Sequence, residues 1–171
     1  LILMTSDLFK VLNPEFGNRI IDPFRYSFVK KSHRGPYGNC NFIAITTGEN
    51  NDLMTSRRFS KYPLTGEQVS YYIEEARFLM NLNHPFIVPY FGFTYKLPFA
   101  FFTSNTFSST LYDAINSETS KRELTGTEKT TIAMCIASSM IFLHSMNIIN
   151  YDLCSENIFL YDNDYPKLGN F

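Results

Sequence analysis

Two polar residues near the end of the chain, Asp152 and Asn157, stand five apart in the run Asn150-Tyr151-Asp152-Leu153-Cys154-Ser155-Glu156-Asn157-Ile158-Phe159-Leu160. A second short run, Pro166-Lys167-Leu168-Gly169-Asn170-Phe171, follows it. Alone, an aspartate and an asparagine at that spacing read as a polar turn closed by Asx hydrogen bonds. A second candidate is Arg34-Gly35-Pro36-Tyr37-Gly38, set between β-prone runs that hold Tyr26 and Phe28 on one side and Phe42, Ile43 and Ile45 on the other. Glycines at a hairpin tip let backbone N–H groups approach phosphate oxygens because no Cβ intervenes. Two glycines also serve an ordinary turn. The histidines His33, His84 and His144 and the cysteines Cys40, Cys135 and Cys154 are scattered without zinc-ligand spacing, and none is assigned chemistry.

These residues need elements to hold them. Thr65-Gly66-Glu67-Gln68 is a capping box, and Val69, Tyr72, Ile73, Ala76, Leu79 and Met80 recur behind it at helical spacing. At about 100° per residue, Glu75 lies about 60° from Tyr72 and about 40° from Leu79, so its carboxylate flanks the apolar stripe. Pro98-Phe99-Ala100-Phe101-Phe102-Thr103 reads as a buried strand. A second capping box, Thr125-Gly126-Thr127-Glu128, opens a long helix through Ile132, Cys135, Ile136, Met140 and Leu143. That helix delivers the chain into Asn150 to Leu160. Residues 1–20 show no period and contain the breakers Asn13-Pro14 and Phe16-Gly17, so they are expected to form a leader that packs loosely or not at all.

Composition bounds the function. At 171 residues, 44% hydrophobic and 18% charged, the chain can hold one domain with a sizeable core. A net charge of -1 lacks the basic surface that phosphate backbones need, so no nucleic-acid function is expected. Three widely spaced cysteines suit a reducing compartment. Leu1-Ile2-Leu3-Met4 is too short for a signal sequence, and no charge-free run approaches the ~18 residues that span a bilayer. The expectation is a cytoplasmic protein with no membrane segment.

The order of the motifs resembles a protein kinase of the tyrosine-kinase-like group, over about Ile21 to Phe171. The carriers are the capped helix, Asn83-His84-Pro85-Phe86-Ile87-Val88 leading to Gly92, the strand ending at Thr103, the long helix, Asp152-Leu153 with Asn157, and Asn170-Phe171. The resemblance implies an α+β, protein-kinase-like fold, with a small β-rich lobe carrying helix C and an incomplete helical large lobe. It implies a leader over 1–20, a small lobe over about 21–103, a hinge over about 104–107 and the start of the large lobe over 108–171, as part of a longer ancestral domain. Asp152 then orients the substrate hydroxyl, and Arg57 and Glu75 position phosphate. Gly35, Gly38, Thr103 (the gatekeeper), Asn105 (the hinge) and Phe159 contact the nucleotide. Asn157 and Asn170 occupy the metal positions, and the cofactors are ATP and Mg²⁺.

Four positions depart from that pattern. His33 stands for the first loop glycine, and Arg57 for the strand lysine, keeping the charge on a longer, planar group. Asn150-Tyr151 replaces His-Arg before the aspartate, and tyrosine cannot pair with a phosphorylated loop as arginine does. Asn170 replaces the metal-binding aspartate with a neutral amide, whereas Mg²⁺ favours carboxylate oxygens. Losing one preorganised contact costs on the order of 10²- to 10³-fold in rate, so two losses set an upper bound of about four to six orders of magnitude. The expected function is a kinase-like domain derived from ATP-dependent phosphorylation of Ser, Thr or Tyr, inactive or very weakly active, of pseudokinase type. The alternatives are a weakly active kinase acting on a protein substrate and a non-catalytic module that engages a protein partner. The long helix is expected to leave apolar surface around Ile132, Ile136, Met140 and Leu143 uncovered and to promote self-association.

Overall fold

The computed structural model describes residues 14–22, 24, 26–35, 38–47, 50–60, 64–97, 99–104, 107–116, 123–162 and 165–170, with backbone alone between 26 and 60 and at 104. It divides into two compact units, Leu1–Leu82 with Pro89–Asn105, and Asn83–Val88 with Thr106–Phe171. The mixture of a sheet-rich small unit and helices is that of a kinase-like α+β fold.

The first unit is a six-stranded sheet with one helix. Its strands are β1 (Ile20–Ile21), β2 (Tyr26–Gly35), β3 (Gly38–Thr47), β4 (Asn50–Ser60), β5 (Tyr90–Thr94) and β6 (Phe99–Ser104), in the order β1-β5-β6-β4-β3-β2. All neighbours are antiparallel except β1, which runs parallel to β5. The sequential pairs are what short turns between β-prone runs dictate. Helix α1 (Gly66–Asn81) starts at a complete capping box: Thr65 Oγ1 accepts from the Gln68 N–H, and Gln68 Oε1 accepts from the Thr65 N–H.

Tyr72 joins α1 to the sheet. It is fully buried, with its ring 4.7 Å from Phe101, 5.2 Å from Phe99 and 5.9 Å from Phe93. Its hydroxyl lies 2.8 Å from the Thr94 carbonyl and 3.1 Å from that of Ala100, so one proton serves both ends of the β5–β6 connection. Burial pushes the phenol pKa up, against hydrogen bonding at Thr94, and the charge of Glu75 adds to the rise. A buried hydroxyl without such partners would be destabilising by about 1–3 kcal/mol.

Residues 14–21 pack more closely than the breakers in their sequence suggest. Phe16 is buried edge-on against Phe93 at 4.9 Å, and Ile21 joins a cluster with Ala100, Phe102 and Phe91. Glu15 accepts two hydrogen bonds from Arg77 of α1, at 2.6 and 2.9 Å. Arg19 donates to the Met80 carbonyl at the end of α1, whose own last turn has no basic residue. A loosely packed leader is therefore not what this part forms. Pro14 opens a helical turn, Gly17 turns it into the 3-10 turn Gly17–Arg19 that leads to β1, and Phe16 and Ile21 add buried apolar area. Residues 1–13 lie outside the described residues.

The second unit holds strands β7 (Phe107–Thr110), β8 (Ile158–Tyr161) and β9 (Lys167–Leu168), paired antiparallel in that order, with α2 (Leu111–Asn116) and α3 (Gly126–Ser145). Thr125 and Glu128 form the capping box of α3. The buried face of α3 is Ile132, Cys135, Ser139 and Leu143, so the expectation that Ile132 and Leu143 stay uncovered is corrected. The exposed apolar side chains are Met134 and Ile141, on other sides of a helix that is apolar almost all round. The segment 84–88 bonds to this helix. Ser139 Oγ donates to the Phe86 carbonyl at 2.7 Å, and the His84 ring stacks on Phe142 at 4.9 Å. β9 reaches the same segment through Val88 N–H to Leu168 O and Leu168 N–H to Phe86 O.

Two predictions arise from these packings. A Cβ on Gly92 would run into the Ile21 side chain and lie 2.8 Å from the Arg19 carbonyl, so Gly92→Ala must push β1 off the sheet edge. We expect a loss of about 1–3 kcal/mol in urea unfolding and faster proteolysis within 14–21; unchanged values for both would contradict the docking. The second concerns pH. His84 Nδ1 accepts from the Phe86 N–H at 3.2 Å, which leaves the proton of the neutral ring on Nε2, 3.3 Å from Ser138 Oγ. Burial pushes the His84 pKa down, so the unfolded chain protonates first as pH falls below about 6.5. The Tm should be steady above that value and fall from there toward the lower folded-state pKa, and the fall should be smaller in His84→Asn.

Candidate functional site

In the second unit, the end of α3 hands the chain to the polar run through a positive-φ residue, Asn147. Asn150 then makes an Asx turn, its Oδ1 accepting from the Asp152 N–H at 2.8 Å. Its Nδ2 is buried and has no hydrogen-bond partner among the described residues. Tyr151 is 91% exposed, so its side chain extends into solvent. Ser155–Asn157 forms a single 3-10 turn that swings Asn157 inward, and β8 follows at once.

Asn157 is the centre of the arrangement. It is buried, and its Nδ2 donates to both the carbonyl and Oδ2 of Asp152, each at 2.9 Å. Asn170 Nδ2 donates to Asn157 Oδ1 at 3.0 Å, and the Gly169 N–H donates to the Asn157 carbonyl at 3.0 Å. The structure thus brings together Asp152, Asn157 and Asn170, three residues that the sequence singles out. Phe159 lies two residues along β8, its ring 4.7 Å from that of Phe107. The Cys154 thiol has its pKa pushed up by burial, with the carboxylates of Asp152 and Glu156 adding to the rise, so it is no ready thiolate.

In the first unit the register of the backbone locates the others. Gly35 pairs with Gly38 at the end of the β2–β3 hairpin, and two residues along, Cys40 pairs with Arg57. Arg57 faces Phe101 on its other side, and Thr103 pairs with Thr55 and Tyr90, buried on β6. Glu75 is half-buried on α1. The Arg57 side chain, the hairpin tip at Pro36-Tyr37, Asn105 and Phe171 lie outside what is described, and so does any pairing of Arg57 with Glu75.

The donor set can be tested against a metal ion. Asn157 Oδ1 already accepts a hydrogen bond from the uncharged Asn170 amide, and Asp152 Oδ2, on the one carboxylate of the group, already accepts from Asn157 Nδ2. Among the described residues no cluster of three or more His, Cys, Asp or Glu could hold a metal. Mg²⁺ binds through carboxylates in near-octahedral geometry. These residues do not fit it, and no step is derived through it. Sequence reasoning reached each residue but missed the Asn170–Asn157 bond and strand β7; the bond depends on side-chain orientation, which no spacing rule encodes.

The close approach of Gly169 generates a prediction. A Cβ there would lie 2.9 Å from Phe159 Cε2 and 3.0 Å from Val88 Cγ2. Gly169→Ala should cost about 1–3 kcal/mol in denaturant unfolding by forcing the segment off Asn157. An unchanged midpoint would mean that the segment is not held there.

Comparison with known proteins identifies the family. The family model described as protein tyrosine and serine/threonine kinase matches residues 36–171. The chain is 31% identical over 107 residues to the serine/threonine-protein kinase A-Raf of Mus musculus, covering 63% of this chain and 17% of that protein. It is 33% identical over 107 residues to the serine/threonine-protein kinase TNNI3K of Mus musculus, covering 60% and 13%. It is 32% identical over 99 residues to the serine/threonine-protein kinase Tao of Drosophila melanogaster, covering 58% and 9%. The chain spans less than a fifth of the length of these curated relatives. With the match extending over most of its length, and with the capped helices, the sheet and the Asp152–Asn157 loop arranged as above, this chain belongs to the protein tyrosine and serine/threonine kinase family.

Proposed function

We propose that this kinase-family chain is a pseudokinase-type domain of the tyrosine-kinase-like group, which has lost metal-dependent phosphoryl transfer and acts by engaging a protein partner in the cytoplasm. The observation that carries the reading is Asn170. It stands where the family resemblance expects the metal-binding aspartate, and its amide is a hydrogen-bond donor to Asn157. A phosphoryl transfer site works by concentrating positive charge on the phosphates and aligning them with the acceptor. An amide pair supplies neither. Arg57 in place of lysine keeps the charge on a longer, planar group, His33 stands in place of a loop glycine, and the solvent-exposed Tyr151 in place of arginine cannot pair with a phosphorylated loop. Among the described residues no helix is long and apolar enough to cross a membrane.

The competing reading is a weakly active kinase, in which Asp152 orients a protein hydroxyl, Arg57 and Glu75 position phosphate, and Gly35, Gly38, Thr103, Asn105 and Phe159 contact ATP. The orientation of the Asp152 carboxylate by Asn157 favours it, since that carboxylate is held as a general base would need to be. Thermal shift with ATP, in EDTA and in MgCl₂, together with transfer of labelled phosphate to a generic protein substrate, decides between them. We expect at most weak ATP stabilisation, the same in both buffers, and no transfer above background. Stabilisation by several degrees that requires Mg²⁺, or measurable transfer abolished by Asp152→Asn, would replace the proposal with the active reading.

A further inference from the structure

We infer that the Asn170 carboxamide takes the place of a metal ion as the cross-link between the Asp152–Asn157 loop and the segment that follows β9, so that this site is built to be complete without a divalent cation. The orientation of the two amides follows from the acceptors around them. Both groups reached by Asn157 Nδ2 are oxygens that can only accept, the Asp152 carbonyl and carboxylate. The Asn157 amide can therefore face only one way, and its Oδ1 is left toward residue 170. A donor is needed there, because Asn157 is buried and an unsatisfied carbonyl oxygen would be costly. Asparagine provides one in Nδ2.

An aspartate at the same position would set a carboxylate oxygen against that carbonyl oxygen, with no proton between them at neutral pH. Two facing oxygens need a cation, and with one bound the pair becomes a ligand set. With asparagine the same two elements are joined by a 3.0 Å hydrogen bond, and the metal has lost both its charge partner and a lone pair. The backbone supports this bond independently. The Gly169 N–H is held by the Asn157 carbonyl, and Asn170 has φ 55°, a left-handed conformation that asparagine, aspartate and glycine adopt more readily than other residues. Exchange among those three residues at 170 therefore changes the side-chain interaction with little change in backbone preference.

This inference rests on the reading of a metal-independent site, but it is tested without nucleotide and without activity. Melting temperatures of the purified chain and of Asn170→Asp and Asn170→Gly are measured in EDTA and in MgCl₂ at matched ionic strength. The unsubstituted chain should melt at the same temperature in both. Asn170→Asp should melt about 2–4 °C lower in EDTA, the shift expected for one lost interaction in a chain of this size, and recover most of it in MgCl₂. Asn170→Gly should be lowered in both buffers with no response to Mg²⁺. Asn170→Asp as stable as the parent in EDTA, or a parent that gains several degrees from MgCl₂ alone, would overturn the inference. Should Asn170→Asp not fold, side-chain amide NMR of the parent decides the matter. Slow exchange of the Asn157 and Asn170 NH₂ groups, unmoved by MgCl₂, supports the cross-link, and fast exchange or Mg²⁺-induced shifts refute it. Phosphate transfer by a parent with this melting pattern would defeat the proposed function and leave the cross-link standing.

Discussion

The carboxamide of Asn157 is buried, and everything around it must satisfy one acceptor and two donor hydrogens at once. That requirement pins Asp152 on one side and Asn170 on the other, while the Asn157 backbone carbonyl holds Gly169. From there the constraint spreads through ordinary backbone bonding. β8 begins at the next residue, β9 pairs with it, and Leu168 bonds Phe86 and Val88. Ser139 in turn ties Phe86 to α3. One amide thus fixes the end of a polar loop to two strands and, two steps further, to the longest helix. Removing it would leave several partners unsatisfied together, which is why such networks behave cooperatively.

The first unit uses a similar device with a different side chain. Tyr72 places an aromatic ring among Phe93, Phe99 and Phe101 and a hydroxyl between two backbone carbonyls, so apolar burial and polar satisfaction are met by one residue. The segment 14–21 then closes the outer side of the same layer. Arg19 bonds the terminal carbonyl region of α1, Arg77 grips Glu15, and Gly92 leaves the space that Ile21 fills. These contacts fall on α1 and on β5, away from Gly35 and Gly38 in the strand order.

The parts of the family pattern that persist and the parts that changed have different physical jobs. Capping boxes, the buried strand at Phe99–Thr103 and the His-Pro-x-Ile-Val segment hold the fold, and each is bonded or buried here. The substitutions at Tyr151 and Asn170 leave those bonds intact, because an exposed ring disturbs no packing and an amide replaces a carboxylate of nearly the same shape. Selection for folding alone would tolerate both.

Much could be read from residue order alone. The caps at Thr65 and Thr125, the stripe through Tyr72, Ala76 and Leu79 and the strand before Thr103 are local patterns, set by hydrogen-bonding chemistry within a few residues and by the periodicity of apolar side chains. The likeness of Asp152 to Asn157 to a catalytic loop was equally local. Three features needed the folded chain. The docking of 14–21 depends on Gly92, some seventy residues away, leaving room for Ile21. The covered side of α3 could not be chosen from a helix apolar on nearly every face, and contact with Phe86 and Phe142's partner His84 decides it. The bond from Asn170 to Asn157 depends on which way two amides turn, and that is decided by the acceptors of Asp152, because a buried hydrogen-bonding group takes its orientation from its neighbours rather than from its position in the chain.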